Sequence, residues 1–342
     1  MTAITHLNPS RSPGAGRTRG IGAKIGWFFL DNGIIIALIV EVAIFALIAK
    51  EKFWNPDVLA IILQTAAGVG IIQPFYTLSM ISGIVDFGGA PLAAVLFAVL
   101  VTALKIPWPV ALLIGMGASL LIGLFNSWVV IRIKIPPIIA TLITGGVVGG
   151  VSYMLADAFG KALQIKLAVP AIRMLWTVKP FGLPLTVYLM LTLYVIVYVL
   201  LNHTKLGAHL YAIGSNPDAA IRAGINYTRL FIFVFILLNV MTSLGNIIYS
   251  VRVLNAGPYI GPNVTSGAGV AVTLVAALFA GIGLFGGSGR VEFTLVGLLF
   301  FSVLLVGMAV VGFPPKFRVA VDGLAILAAL LLDAIRRYLS SR

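Results

Sequence analysis

The sequence predicts an all-α, polytopic membrane protein with about ten transmembrane helices, and three observations predict it. Of its 342 residues, 60% are hydrophobic and only 10% are charged, whereas soluble domains carry about 25% charged residues. Several apolar runs reach the roughly 20 residues that a helix needs to cross a hydrocarbon core. The alternating apolar-polar strands of a transmembrane barrel are not seen. The formal charge of +13 is scattered between apolar runs, which fits membrane topology better than nucleic-acid binding. With no cysteine, disulfides, thiolate metal sites and a Cys nucleophile are excluded. The three histidines, His6, His203 and His209, are placed outside the membrane, which argues against an intramembrane metal centre.

Residues 1–26 are rich in Ser, Pro, Gly and Arg and read as a disordered basic tail. The apolar run that follows is too long for a signal-peptide core, so the tail is expected to remain on the cytoplasmic side. Residues 27–336 read as one transmembrane domain, and 337–342 as a cytoplasmic end. Ten spans fit: about 28–49, 57–82, 90–105, 108–131, 136–156, 183–202, 228–250, 265–286, 291–312 and 317–335. An even number puts both ends on one side. The basic clusters Arg11–Lys24 and Arg336–Arg342 assign that side to the interior. The third span is short and preceded by Gly88 and Gly89, as a re-entrant or broken helix would be.

Between two strongly apolar segments lies a polar island, 202–229. Ser215 or Asn216 can cap a helix there, Pro217 suits its first position, and Asp218 meets the positive end of the dipole. Asp218 and Arg222 stand four apart and can pair, and Gly224 can take the left-handed conformation that ends the helix. About two turns are too short to be stable alone. The island is therefore either a connector packed on its own protein or a knob that docks on a partner. Ala219, Ala220 and Ala223, with Ile221, would form its compact surface.

An internal repeat is also visible. Ser82-Gly-Ile-Val-Asp-Phe-Gly-Gly-Ala90 and Ala280-Gly-Ile-Gly-Leu-Phe-Gly-Gly-Ser288 share Gly, Ile, Phe, Gly and Gly in the same register. Paired interruptions in two halves point to a transport route. Glycine lets a membrane helix unwind and lets neighbours approach closely. Gly88, Gly89, Gly286 and Gly287 are thus candidate pathway positions. Gln73, Phe75, Tyr76 and Asn246 join them, since amides and aromatic faces suit a neutral hydroxylated solute, as does Asp86 beside the glycines. The amides, with Asn126 and Asn239, serve equally as interhelical hydrogen-bonding groups. Glu41 in the first span and Asp322 in the last are charged groups that should face protein or water. Trp27, Trp54, Trp108 and Trp176 fall near expected interfaces.

The island, from Leu206-Gly207 through Tyr211-Ala-Ile-Gly-Ser-Asn-Pro-Asp-Ala-Ala-Ile221 to Ala223-Gly-Ile-Asn226, resembles the coupling loop of ribose-type ABC importer permeases. Met80-Ile-Ser-Gly-Ile-Val-Asp86, Ile135-Pro-Pro-Ile-Ile-Ala-Thr-Leu142 and Leu284-Phe-Gly-Gly-Ser-Gly289 are similar to further segments of that family. The similarity covers most of the chain. Two departures stand out: Gly88-Gly89 replaces the family's Ser-Val-Gly, and 264–272 lacks an acidic residue.

The resemblance implies a non-catalytic permease subunit of the bacterial inner membrane that moves a monosaccharide-like solute. It implies a second permease copy, identical or paralogous, and a periplasmic or extracellular solute-binding protein. An ATPase partner would hold ATP and Mg and dock on Ser215–Gly224. The chain has no phosphate-binding Gly-x-x-x-x-Gly-Lys-Ser/Thr loop, and no cofactor is expected on it. The rival reading is an ion-coupled secondary transporter using Glu41 or Asp322, which leaves the capped helix of the island without a role.

Overall fold

The computed structural model describes residues 21–86, 90–159, 165–256, 267–283 and 286–314, with isolated positions between 320 and 331. Almost all of it is helix. The long helices are α1 (Ile21–Ala49), α5 (Trp108–Trp128), α6 (Pro137–Ala158), α8 (Leu185–His203), α11 (Tyr227–Arg252) and α13 (Val291–Val310). α5 runs on into one π turn over Val129–Ile133. Two helices, α2 (Pro56–Gly70) and α3 (Gln73–Ile81), meet at a bend of 45°. Shorter apolar helices are α4 (Ala90–Thr102) and α12 (Gly267–Phe279). The remaining short helices are α7 (Pro170–Thr177), α9 (Lys205–Ser215) and α10 (Pro217–Arg222).

Six of the expected ten spans stand as long apolar helices. Among the described residues six helices are long and apolar enough to cross a membrane, or seven if the bent pair is one span. The span expected over 57–82 is that pair. Pro74 enters α3 in its first turn, where its missing N–H costs little but its ring blocks continuation from the Gly70 carbonyl. α4 and α12 have 13 residues each, and each begins where the described residues resume. The span expected over 317–335 falls mostly outside the described residues. Residues 21–26, expected in the disordered tail, open α1 instead. Ile21, Ala23 and Ile25 extend a helix cheaply once the span behind them has nucleated it.

α11 is the axis. It packs along α5 and also touches α2, α3, α4 and α7. Gly123 of α5 lies so close that a Cβ there would meet the Phe235 carbonyl oxygen at 2.9 Å. The hydroxyls of Ser243 and Ser119 hydrogen-bond across the same seam. With no water in a bilayer to drive apolar association, this close packing and polar pairing hold the helices. α1 is peripheral. It rests on α13 through a separate small cluster, with the Phe45 ring against Gly307.

The connection between α6 and α8 holds structure that the sequence reading missed. Ile165–Lys166 pairs antiparallel with Asn255–Ala256 beyond α11. In α7, Trp176 is buried, not interfacial, and donates to the Ile248 carbonyl at 3.0 Å. The Arg252 guanidinium lies 4.9 Å from the Trp176 ring centroid and donates to the Gln64 carbonyl at 3.1 Å. This cap ties α7, α11 and α2 together.

Candidate functional site

α10 forms from local chemistry. The Asn216 side chain accepts from the Ala219 N–H at 3.0 Å, so Asn216 and not Ser215 is the cap. Pro217 takes the first position and Asp218 the first turn. The end is a Schellman motif: Gly224 N–H donates to Ile221 and Ile225 N–H to Ala220, with Gly224 at φ +86°. Asp218 and Arg222 do not pair; the one ion pair among the described residues is Arg290–Glu292. Both side chains are exposed, and water serves each better than a strained surface pair would.

Ser215 to Ala219 and Ile221 to Gly224 are exposed. Ala220 is not. It is 4% exposed and belongs to the chain's own core, which corrects its expected place on the docking surface. A six-residue helix lying on a protein must turn one side inward, and Ala220 is that side.

The island holds a second helix that the sequence reading did not separate. α9 is capped by Thr204, whose hydroxyl accepts from Gly207 N–H at 3.2 Å. It ends at Gly214–Ser215, where three segments of backbone converge. A Cβ on Gly214 would lie 1.9 Å from the Ile81 carbonyl oxygen and 2.5 Å from the Gly287 nitrogen. Those two atoms are themselves hydrogen-bonded at 2.8 Å. A Cβ on Gly287 would meet the Ser215 Cα at 2.5 Å, and one on Gly286 the Gly83 nitrogen at 2.6 Å. No real Cβ fits such distances, so glycine is required by the approach itself.

Tyr211 adds a side-chain tie, donating from its hydroxyl to the Gly289 carbonyl at 2.8 Å. Burial, with Glu292 nearby, pushes the phenol up to about 12, against a smaller opposing pull from Arg290. At neutral pH the group is therefore a neutral donor. The loop is thus joined directly to both glycine-rich breaks of the repeat, at Ile81–Gly83 and Gly286–Gly289.

The repeat itself is carried into geometry. At the end of α3, Gly83 N–H bonds to Met80 O and Ile84 N–H to Ser79 O. At the end of α12, Gly281 N–H bonds to Leu278 O and Ile282 N–H to Ala277 O. Gly83 and Gly281 sit at φ +83° and +79°. These are the same Schellman turns at equivalent positions.

The other candidate pathway residues lie inside the chain. Gln73 and Asn246 are 0% exposed, Tyr76 3%, Phe75 4% and Asp86 5%. Gln73 donates to the Thr273 carbonyl at 3.0 Å, joining α3 to α12, and Asn246 to Thr242 within α11. The Asn239 amide donates to an Asp86 carboxylate oxygen at 2.9 Å. The Val85 carbonyl beside it accepts from Thr141 of α6 at 3.3 Å. Asn126 is fully buried, and its amide makes no hydrogen bond among the described residues. Glu41 is 7% exposed, with neither carboxylate oxygen hydrogen-bonded among them. Gly88, Gly89 and Asp322 lie outside the described residues. The structure thus brings Gly286 and Gly287 to the loop and Asp86 to α11, and it places Gln73, Phe75 and Tyr76 together on α3. Gly214, Ile81 and Tyr211 are the positions that sequence reasoning missed.

The chain is also similar to known proteins. Residues 58–330 match the family model described as branched-chain amino acid transport system / permease component. A ribose import permease of Bacillus subtilis is 30% identical over 319 residues, covering 92% of this chain and 94% of the relative. A fructose import permease of Rhizobium meliloti is 28% identical over 312 residues, covering 87% and 84%. An L-arabinose transport system permease of Escherichia coli is 30% identical over 212 residues, covering 62% of each. No solved structure matches the chain.

Proposed function

Because the chain belongs to the family of permease components of branched-chain amino acid transport systems, we propose that it carries a monosaccharide-like solute inward, driven by a separate ATPase that docks on α10. It is a non-catalytic permease subunit of an ABC importer, a multi-pass membrane protein whose long helices are strongly apolar. The names of the ribose, fructose and arabinose relatives support the solute class. The proposal places the chain in the bacterial inner membrane, with α9 and α10 inside. A second permease copy would complete the pathway and a solute-binding protein would deliver solute outside. ATP and Mg would sit on the ATPase.

The observation that carries this reading is the joining of an exposed capped helix, backbone to backbone, to both glycine-rich breaks. Displacement of α10 by an ATPase would pass through Gly214 and Ser215 to the ends of α3 and α12, with no flexible side chain between to absorb it. An ion-coupled transporter would have no use for that connection.

The test is Ala223→Trp, at an exposed position of the knob. Insertion and abundance should be normal, while ATPase co-purification and solute-stimulated ATP hydrolysis should fall at least tenfold. Wild-type association and uptake in this variant would remove the docking role. Ala220→Trp is unsuitable, because it would break the chain's own packing.

A further inference from the structure

Beside α10 lies a cleft of about 370 Å³ between α9 and the start of α11. That volume falls within the roughly 300–1,000 Å³ of small-molecule sites. Its floor is apolar, from Leu206, Ile225, Leu230 and Phe233, and its rim carries His209 and Arg229. No acidic residue lines it. Neither the His209 ring nor the Arg229 guanidinium has an ion-pair or hydrogen-bond partner among the described residues.

Position along α11 makes the cleft amphiphilic in one direction. Arg229 and Phe233 are one turn apart and so share a face of the helix. Arg229 stands where the span begins, at headgroup depth, and Phe233, 41% exposed, stands at acyl depth. A soluble partner can reach the rim but not Phe233. An anion with an attached hydrocarbon chain reaches both. Basic pockets between helices on the cytoplasmic side suit such headgroups.

We propose that this cleft binds one anionic phospholipid of the inner leaflet, its phosphate against Arg229 and His209 and an acyl chain over Leu230 and Phe233. The inference rests on the interior placement of the loop given above. A lipid held there touches Ala223 and Gly224, which also line the cleft. It would therefore brace the end of α10 where the ATPase is to dock.

The test uses the purified full-length chain, alone and with its ATPase, in mild detergent. Native mass spectrometry reads retained lipid after addition of phosphatidylglycerol, phosphatidylcholine or glycerol 3-phosphate. One phosphatidylglycerol should be retained, and phosphatidylcholine should not. Arg229→Gln should weaken retention roughly fivefold, the Boltzmann weight of one cation at an anionic surface. Arg229→Lys should restore most of it, which separates charge from folding. Arg132→Gln, an exposed charge that does not line the cleft, should change nothing. Equal retention of both lipids, or no effect of Arg229→Gln, overturns the site. Equally tight binding of glycerol 3-phosphate would make it a free-anion site, and displacement of lipid by the ATPase would assign the cleft to that partner. Either outcome overturns the proposal. Failure of the ATPase to co-purify bears on the docking reading alone, because lipid retention is also read on the isolated chain.

Discussion

The two glycine-rich breaks begin identically and end in different company. Ser82-Gly-Ile and Ala280-Gly-Ile close their helices with matching hydrogen bonds and matching left-handed glycines. Past that point the first break turns into the buried core of the chain. Its Asp86 is held by Asn239 of α11, and Val85 by Thr141 of α6. The second break has Leu284 where the first has Asp86. It turns toward the loop, with Gly287 bonded to Ile81 and Gly289 to Tyr211. A duplicated turn has thus become an anchor in one half and a receiver in the other. The shared part is backbone geometry; the divergent part is one buried carboxylate.

The largest expected effect falls on the receiver. Gly214→Ala places a Cβ inside the Ile81–Gly287 contact. Overpacking of this kind costs about 1–3 kcal/mol or more, and here it must push two breaks apart at once. Uptake in proteoliposomes should fall by at least tenfold, while Gly117→Ala, with open space around it, should transport normally. Normal uptake in Gly214→Ala would dissolve the distinction between the breaks.

A smaller effect is expected at the anchor. Asn239→Leu removes the donor to Asp86 and should cost about 2 kcal/mol, the scale of a hydrogen bond to a charged group. The thermal midpoint of the permease should drop, with ATPase association unaffected. An unchanged midpoint would mean that Asp86 does not anchor through α11. The smallest effect is Tyr211→Phe, which loses one neutral hydrogen bond worth about 1 kcal/mol. ATP hydrolysis should continue while uptake per ATP falls about twofold. A stronger loss than that of Gly214→Ala would make the side chain, not the backbone, the main tie.

What the sequence made legible was local. The cap, proline and terminal glycine of α10 are fixed by neighbours within a few residues, so its limits could be read directly. The inward turn of Ala220 could not, since Ala219, Ala220 and Ala223 are alike until the surface beneath them is known. α9 was hidden because Gly207, Gly214 and its polar residues look like a connector, and only tertiary packing of Leu210 and Ile213 settles it as helix. The bend before Pro74 went unread, because its flanking apolar runs look like one continuous span. Gly214 carried no signal of its own, because Ile81 and Gly287 lie far away in sequence.

The meeting of Gly214, Ile81 and Gly287 has a consequence for how the chain tolerates mutation. Main-chain atoms make the contact, and every residue type carries the same main chain. Around an intolerant glycine, neighbours such as Ser215, whose side chain is exposed, are free to drift without compensating changes across the joint. A comprehensive mutational map would show isolated forbidden positions in a permissive field, with no correlated partners between loop and breaks. The linkage would be invisible to covariation although it is among the closest approaches in the molecule.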